Sequence, residues 1–157
     1  MSPAVQTTYG PMSSPQAGTL GASDYDSITG ICEGGGSIPL GRAVSKGALS
    51  DKGVILGGSL AGLRGVSFKD VTLSSSQLDN YALTNSVGVL QRGQLWVEPG
   101  EAVLANDPVY FSTTTGILFK SAGAGRVGPV KGMRFVTGAA IGGRALLYIS
   151  GYAHVDA

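Results

Sequence analysis

Residues 89–97 read VLQRGQLWV, two apolar runs parted by a polar, glycine-containing step. The reading of this step decides the fold, because a turn at Arg92-Gly93 makes the runs two strands of an antiparallel hairpin. Alternation then puts Leu95 and Val97 on one face and Gln94, Trp96 and Glu98 on the other. If the first face is the core, Trp96, the only tryptophan of the chain, stands on a mostly polar face. It is there either as a partly covered side chain or as an anchor in a protein interface, where tryptophan is enriched.

Downstream, residues 98–110 read EPGEAVLANDPVY. Pro99-Gly100 and Asn106-Asp107-Pro108 are turn signals, and Pro108 is tolerated at the first residue of a strand, where no ladder donor is lost. A second hairpin follows in residues 109–119, VYFSTTTGILF, around Ser112–Thr115 and Gly116. Elsewhere, short apolar stretches are cut by glycine at the spacing of an all-β fold. Strands are expected near Ile38–Val44, Val54–Leu56, Leu63–Phe68, Val87–Gln91, Gln94–Val97, Pro108–Ser112, Ile117–Lys120, Met133–Thr137 and Ala145–Ser150. The one helical spacing, in Ser76–Thr84, is too short to stand alone and reads as a loop or single turn. The expected fold is all-β, a compact antiparallel sandwich or barrel.

Residues 1–36 differ in texture. They are rich in Ser, Thr, Gly and Pro and show neither strand nor helix period, so an extended N-terminal arm over 1–36 precedes a body over 37–157. Isolated apolar residues (Val5, Tyr9, Leu20, Tyr25, Ile28, Ile31) punctuate the arm, as in a segment that orders against a surface. The arm carries Asp24, Asp26 and Glu33 and no base, while the body holds all 11 Lys and Arg against seven acids. Arm and body can therefore attract each other or complementary neighbours, weakly and in a salt-sensitive way.

The whole chain has 157 residues, 26 of them Gly, with 43% hydrophobic and only 13% charged residues. That length and apolar content suffice for one self-supporting core. A net charge of +1 offers no field for counterion release, so nucleic acid is not an expected partner. No apolar run reaches the roughly 20 residues of a membrane span, and the N-terminus lacks the features of a signal peptide. A single cysteine, Cys32, excludes an intrachain disulfide and suits synthesis in a reducing cytoplasm.

Catalytic motifs fail on context. Gly57–Ala61, GGSLA, misses the last glycine of a nucleophile elbow and no helical pattern follows, so a hydrolase would rest on Ser59 and the only histidine, His154. Gly123–Gly128, GAGRVG, has the spacing of a dinucleotide loop but is followed by Pro129 rather than a helix, and reads as a mobile loop. Cys and His together cannot supply the four ligands of a structural zinc. Asp24 and Asp26 lack the further ligands of a calcium loop. Glu98 and Glu101 flank a turn, where solvated carboxylates are the ordinary expectation. No catalytic, cofactor-binding or metal residue is assigned.

Taken together and in order, the runs SIPLGRAVSKG (37–47), LRGVSFKDVTL (63–73), VGVLQRGQLWVEPGEAVLANDPVYF (87–111) and GMRFVTGAAIGGRALLYIS (132–150) resemble the structural cement, or head decoration, proteins of tailed bacteriophages. The resemblance implies a protein without catalytic residues on the outer surface of the virion. It would bind an HK97-fold major capsid protein, clamp neighbouring capsomers, and act as a homo-oligomer, dimer or trimer. The alternatives are another β-barrel virion component of the neck or tail tube, or a small ligand-binding protein or hydrolase. Candidate contacts with capsid or sister subunit are Tyr9, Leu20, Tyr25, Ile28, Arg92 and Trp96.

Overall fold

A computed structural model of the chain describes residues 15–34, 36–69 and 80–150, and among these there is no helix. Twelve strands follow in order: β1 Asp26–Cys32, β2 Ile38–Pro39, β3 Ala43–Lys46, β4 Gly53–Leu56, β5 Leu63–Ser67, β6 Asn80–Tyr81, β7 Ser86–Val97, β8 Tyr110–Ser112, β9 Leu118–Phe119, β10 Arg126–Val127, β11 Met133–Phe135 and β12 Ala145–Ile149. The all-β expectation holds. β1, β4, β3, β5 and β7 pair in that order, and β7 pairs back to β1, which closes a barrel. All of these pairings are antiparallel except β1 with β4. β12 and β11 extend from the far part of β7, while β10-β8-β9 and β2-β6 form two small sheets.

The hairpin expected at Arg92-Gly93 does not exist, because β7 runs unbroken through it for 12 residues. Its first part pairs with β1 and β5, and its second with β12. A bulge replaces the turn: Asp26 pairs with Arg92 but Ser27 with Leu90, so Gln91 is the inserted residue. The extra residue shifts the two-residue period. Leu90 and Leu95, five apart, consequently enter the same core. Gly93, at φ +130, is required because a Cβ there would lie 2.8 Å from the Cβ of Tyr25.

The arm–body boundary at 36/37 is also not an edge of the sheet, since β1 lies within the barrel wall. Its alternation escapes a sequence reading because the inward positions are Ile28, Gly30 and Cys32, and the middle one has no side chain. A Cβ on Gly30 would come within 2.8 Å of Val54. Even before β1 the chain is ordered on the body: Gly18 N–H donates to Trp96 C=O (2.7 Å), Trp96 N–H to Thr19 C=O (2.9 Å), and Gly21 N–H to Gln94 C=O (2.8 Å). The expected strand Ile38–Val44 is interrupted at Gly41, whose φ of +73 turns the chain between β2 and β3. Tyr81 of the supposed turn lies in β6, opposite Ile38, and residues 76–79 fall outside the described residues.

Two cores result. Cys32, Val44, Val54, Val87 and Val89 fill the barrel, capped by Ile38, Leu40 and Tyr81; the Tyr81 hydroxyl donates to Phe68 C=O at 2.6 Å. Ala43, Leu63, Val66 and Leu90, on the other face of the β3–β5–β7 wall, join Leu95, Val97, Val109, Phe111, Leu118, Phe135, Ala145, Leu147 and Ile149 in the larger core. β7 is common to both, so the two halves fold onto one strand.

Candidate functional site

The candidate contact residues divide sharply. Leu20 bridges to Leu95 and packs on the larger core, and Ile28 packs on the barrel core. Tyr25 meets Phe68 edge to face at 5.9 Å between ring centroids. Arg92 donates to Asp26 at 2.7 Å and to Asp24 at 3.3 Å. The hydrogen bond from Arg92, aided by its charge, holds Asp26 below its ordinary pKa, and the two carboxylates raise that of Arg92. These four residues thus fasten 20–28 to the body, and the Asp24/Asp26 pair has a guanidinium for a partner. Tyr9 lies outside the described residues.

Trp96 is of intermediate burial and, among the described residues, makes neither a ring contact nor an ion pair of this kind; Tyr25 nonetheless stays 40% exposed, more than Trp96. Leu95 and Val97 are fully buried while Gln94 and Trp96 are only half-buried, so the expected division of faces holds. Its surroundings come from the far end of the sequence. The ladder sets Gln94 opposite Tyr148 and Trp96 opposite Leu146; one step beyond the last pair, Arg144 Nη1 meets the Glu98 carboxylate at 2.8 Å. On the other side of β12, Arg134 is opposite Tyr148, with its guanidinium 5.1 Å from the ring centroid. Trp96, Leu146, Tyr148 and Arg134 thereby form one outward strip on the β7-β12-β11 sheet, whose reverse face is buried core. Trp, Tyr and Arg are the residues that dominate protein interfaces. Sequence reasoning missed Leu146, Tyr148 and Arg134 because only the register brings them to Trp96.

The strip ends in a cleft of about 190 Å³ lined by Gln16, Pro39, Leu40, Arg42, Glu98 and Arg144. Arg42 is held there by its backbone: Arg42 N–H donates to Ser67 Oγ (3.1 Å), and Ser67 N–H to Arg42 C=O (2.9 Å). Its Nη1 donates to Thr115 C=O at 3.0 Å. Burial lowers the pKa of Arg42, against the opposing pull of Glu98.

Glu98 is an exposed carboxylate at the turn, as expected, whereas Glu101 is not a solvated charge. Glu98 is paired with Arg144, and Glu101 accepts from the backbone N–H groups of Lys120 (2.8 Å) and Ser121 (2.9 Å) and from Ser121 Oγ (2.8 Å). Burial alone would raise the Glu101 pKa. Hydrogen bonds from Ser121 and Lys120 and the charge of Arg126 outweigh it and hold the carboxyl below its ordinary value. Arg126, whose guanidinium also sits 3.5 Å over the Phe119 ring, anchors β10, so the 123–128 segment is a paired strand and turn rather than the expected mobile loop. Ser59 Oγ accepts from Gly62 N–H at 3.1 Å and closes a turn; His154 falls outside the described residues.

The comparisons with known proteins point to a structural role. The sequence profile of the structural cement proteins (E217 gp24/Pam3 gp6) matches residues 5–150. The chain belongs to this family. No curated protein sequence matches it. Among solved structures, a chain of the capsid of Myoviridae phage XM1 is similar over 93% of this chain and 96% of its own, with a TM-score of 0.70 and 18% identity. The N base of head fiber gp8.5 of bacteriophage phi29 is similar over 82% of this chain and 98% of its own, with a TM-score of 0.51 and 13% identity. At such identities the likeness is one of fold. For this cement protein the family match spans both cores and the outward strip.

Proposed function

We propose that this cement protein binds the outer surface of an HK97-fold capsid shell through the Trp96–Leu146–Tyr148–Arg134 strip and ties neighbouring capsomers together as a homo-oligomer, without catalysis. The observation that carries the reading is the strip itself: large interface-type side chains held outward on a sheet whose other face is fully packed. A rigid platform of this kind loses little conformational freedom on binding. Bridging needs a second contact, and the loops at the opposite end of β7 offer one. There Ile31, near the end of β1, and Leu49 and Leu83, on the adjoining loops, are exposed apolar residues, with Leu49 85% exposed; the loops are tied to the end of β1 by Leu49 N–H to Glu33 (3.0 Å) and Thr84 N–H to Cys32 C=O (3.0 Å). Eleven steps of strand separate the two ends by up to about 36 Å. Tyr9 stays a proposed contact.

Repetition over a shell makes modest affinity per copy sufficient. The solved structures of similar fold come from phage heads, which supports a place on the virion, after synthesis in the host cytoplasm. The small net charge supports a protein partner over nucleic acid. The test is addition of purified protein to expanded shells of its phage that lack it. Co-sedimentation and a higher shell melting temperature are expected; absence of co-sedimentation overturns the reading.

A further inference from the structure

The cleft beside Trp96 is more polar than a docking strip requires, and its charges do not balance. Two arginines, Arg42 and Arg144, line it with one acid, Glu98, whose charge is felt by Arg42. Each guanidinium has five N–H donors. Arg144 spends Nη1 on both Glu98 and Gly142 C=O (3.3 Å), while its Nε is withdrawn from water with no acceptor. Arg42 places Nη1 on Thr115 C=O and is partly desolvated, which disfavours its charge. An unanswered donor out of water costs about 1–3 kcal/mol, so the positive charge of Arg144 is under-compensated in the free protein, and a further anion beside its guanidinium would offset it.

We propose that this cleft receives one carboxylate, the acidic side chain of the protein that docks on the Trp96 strip. The cleft carries a net charge of +1 and holds planar donors in forks, the geometry that suits a carboxylate bidentately. Glu98 keeps Arg144 aligned, and the incoming carboxylate accepts from the donors that Arg42 and Arg144 leave free. The Arg42 backbone is fixed by Ser67, fully buried, and its guanidinium by Thr115 C=O, so both are held before a ligand arrives. Sited at the end of the strip, the ion pair would be covered by the docked partner, where charged pairs act chiefly on specificity and on the dissociation rate.

The partner's identity rests on the proposed capsid binding, so the experiment has two arms. In the first, Arg42→Gln, Arg144→Gln and Trp96→Ala proteins of wild-type fold by circular dichroism are titrated onto shells. Each arginine variant should lose about tenfold in affinity, the scale of one charge-assisted hydrogen bond, and the loss should shrink at high salt. Arginine variants that bind as wild type, while Trp96→Ala binds weakly, overturn the carboxylate cleft and leave the docking strip standing. In the second arm, the arginine Nε–H resonances of the protein alone are followed by NMR during titration with succinate, with neutral succinamide as control. A saturable shift with succinate only, absent in Arg42→Gln, supports the cleft even if wild-type protein fails to bind shells. No shift in wild type overturns it. A shift in this arm with unimpaired shell binding by the arginine variants overturns the docked side chain as the source.

Discussion

The two parts of β7 have the same backbone and different fates. From Val87 to Leu90 every residue is buried, because one face looks into the barrel and the other into the larger core. From Gln94 to Val97 burial alternates, with Leu95 and Val97 inside and Gln94 and Trp96 half out. A strand buried on both faces is committed to folding. Where one face is only partly covered, it holds a tryptophan, an aliphatic and a tyrosine–arginine pair, the surface proposed for a partner. The bulge at Gln91 is the hinge between the two regimes, and Arg92 beside it is spent on binding the chain's own Asp24 and Asp26.

The largest effect is expected from the doubly buried part. Leu90→Ala removes a fully buried side chain between the β3–β5–β7 wall and the larger core, and should cost about 2–5 kcal/mol in chemical denaturation. A cost near zero would show that the two cores are not joined through β7. Trp96→Ala should reverse the pattern. Shell affinity falls by about tenfold or more, as for an interface hot spot, while the denaturation midpoint moves little. If stability fell as much as for Leu90→Ala, the strip would be part of the fold and not a docking face.

Glu101 gives an intermediate case, since its carboxylate holds the 120–121 turn without touching the strip. Its pKa is lowered in the folded protein, so its contribution is complete above the unfolded carboxylate value, roughly 4.3, and is lost as pH falls through the folded value. Glu101→Gln should therefore be less stable than wild type at neutral pH, with the difference closing in acid and shell binding unchanged. Urea melts at pH 7 and pH 3 check this; a deficit that stays constant with pH would remove the charge from the explanation. The smallest effect is expected for Asp26→Asn. Its pair with Arg92 is exposed, and such pairs contribute little and are screened by salt. A small loss of stability at low salt that vanishes at high salt is expected. A loss that persists at high salt would show that packing, not charge, fastens 24–26 to β7.

Much of the fold was legible because most strands carry their period in their own residues. Leu63–Ser67, Gly53–Leu56 and Ala145–Ile149 lie within a residue of where alternation and turn glycines place them. β1 was hidden by Gly30 at an inward position, and the Arg92-Gly93 step imitated a hairpin because a bulge and a turn use the same residues. Of the candidate contacts, Trp96 was legible as an outward side chain from its parity alone. Leu20, Tyr25 and Ile28 read as free apolar residues of an arm, but their partners Leu95, Phe68 and the barrel core are distant in sequence, so nothing local marked them as satisfied.

By itself the amino-acid sequence determined the all-β class, the low charge, the order of motifs shared with the cement family and the outward parity of Trp96. These follow from local periodicity, turn chemistry and composition, each readable within a few residues. The tertiary structure alone decided that β7 is continuous, that residues 15–32 belong to the body, and that Arg42, Glu98 and Arg144 share one cleft at the end of the Trp96 strip. Each of those depends on register between segments tens of residues apart, and register is set by how two cores close on one strand.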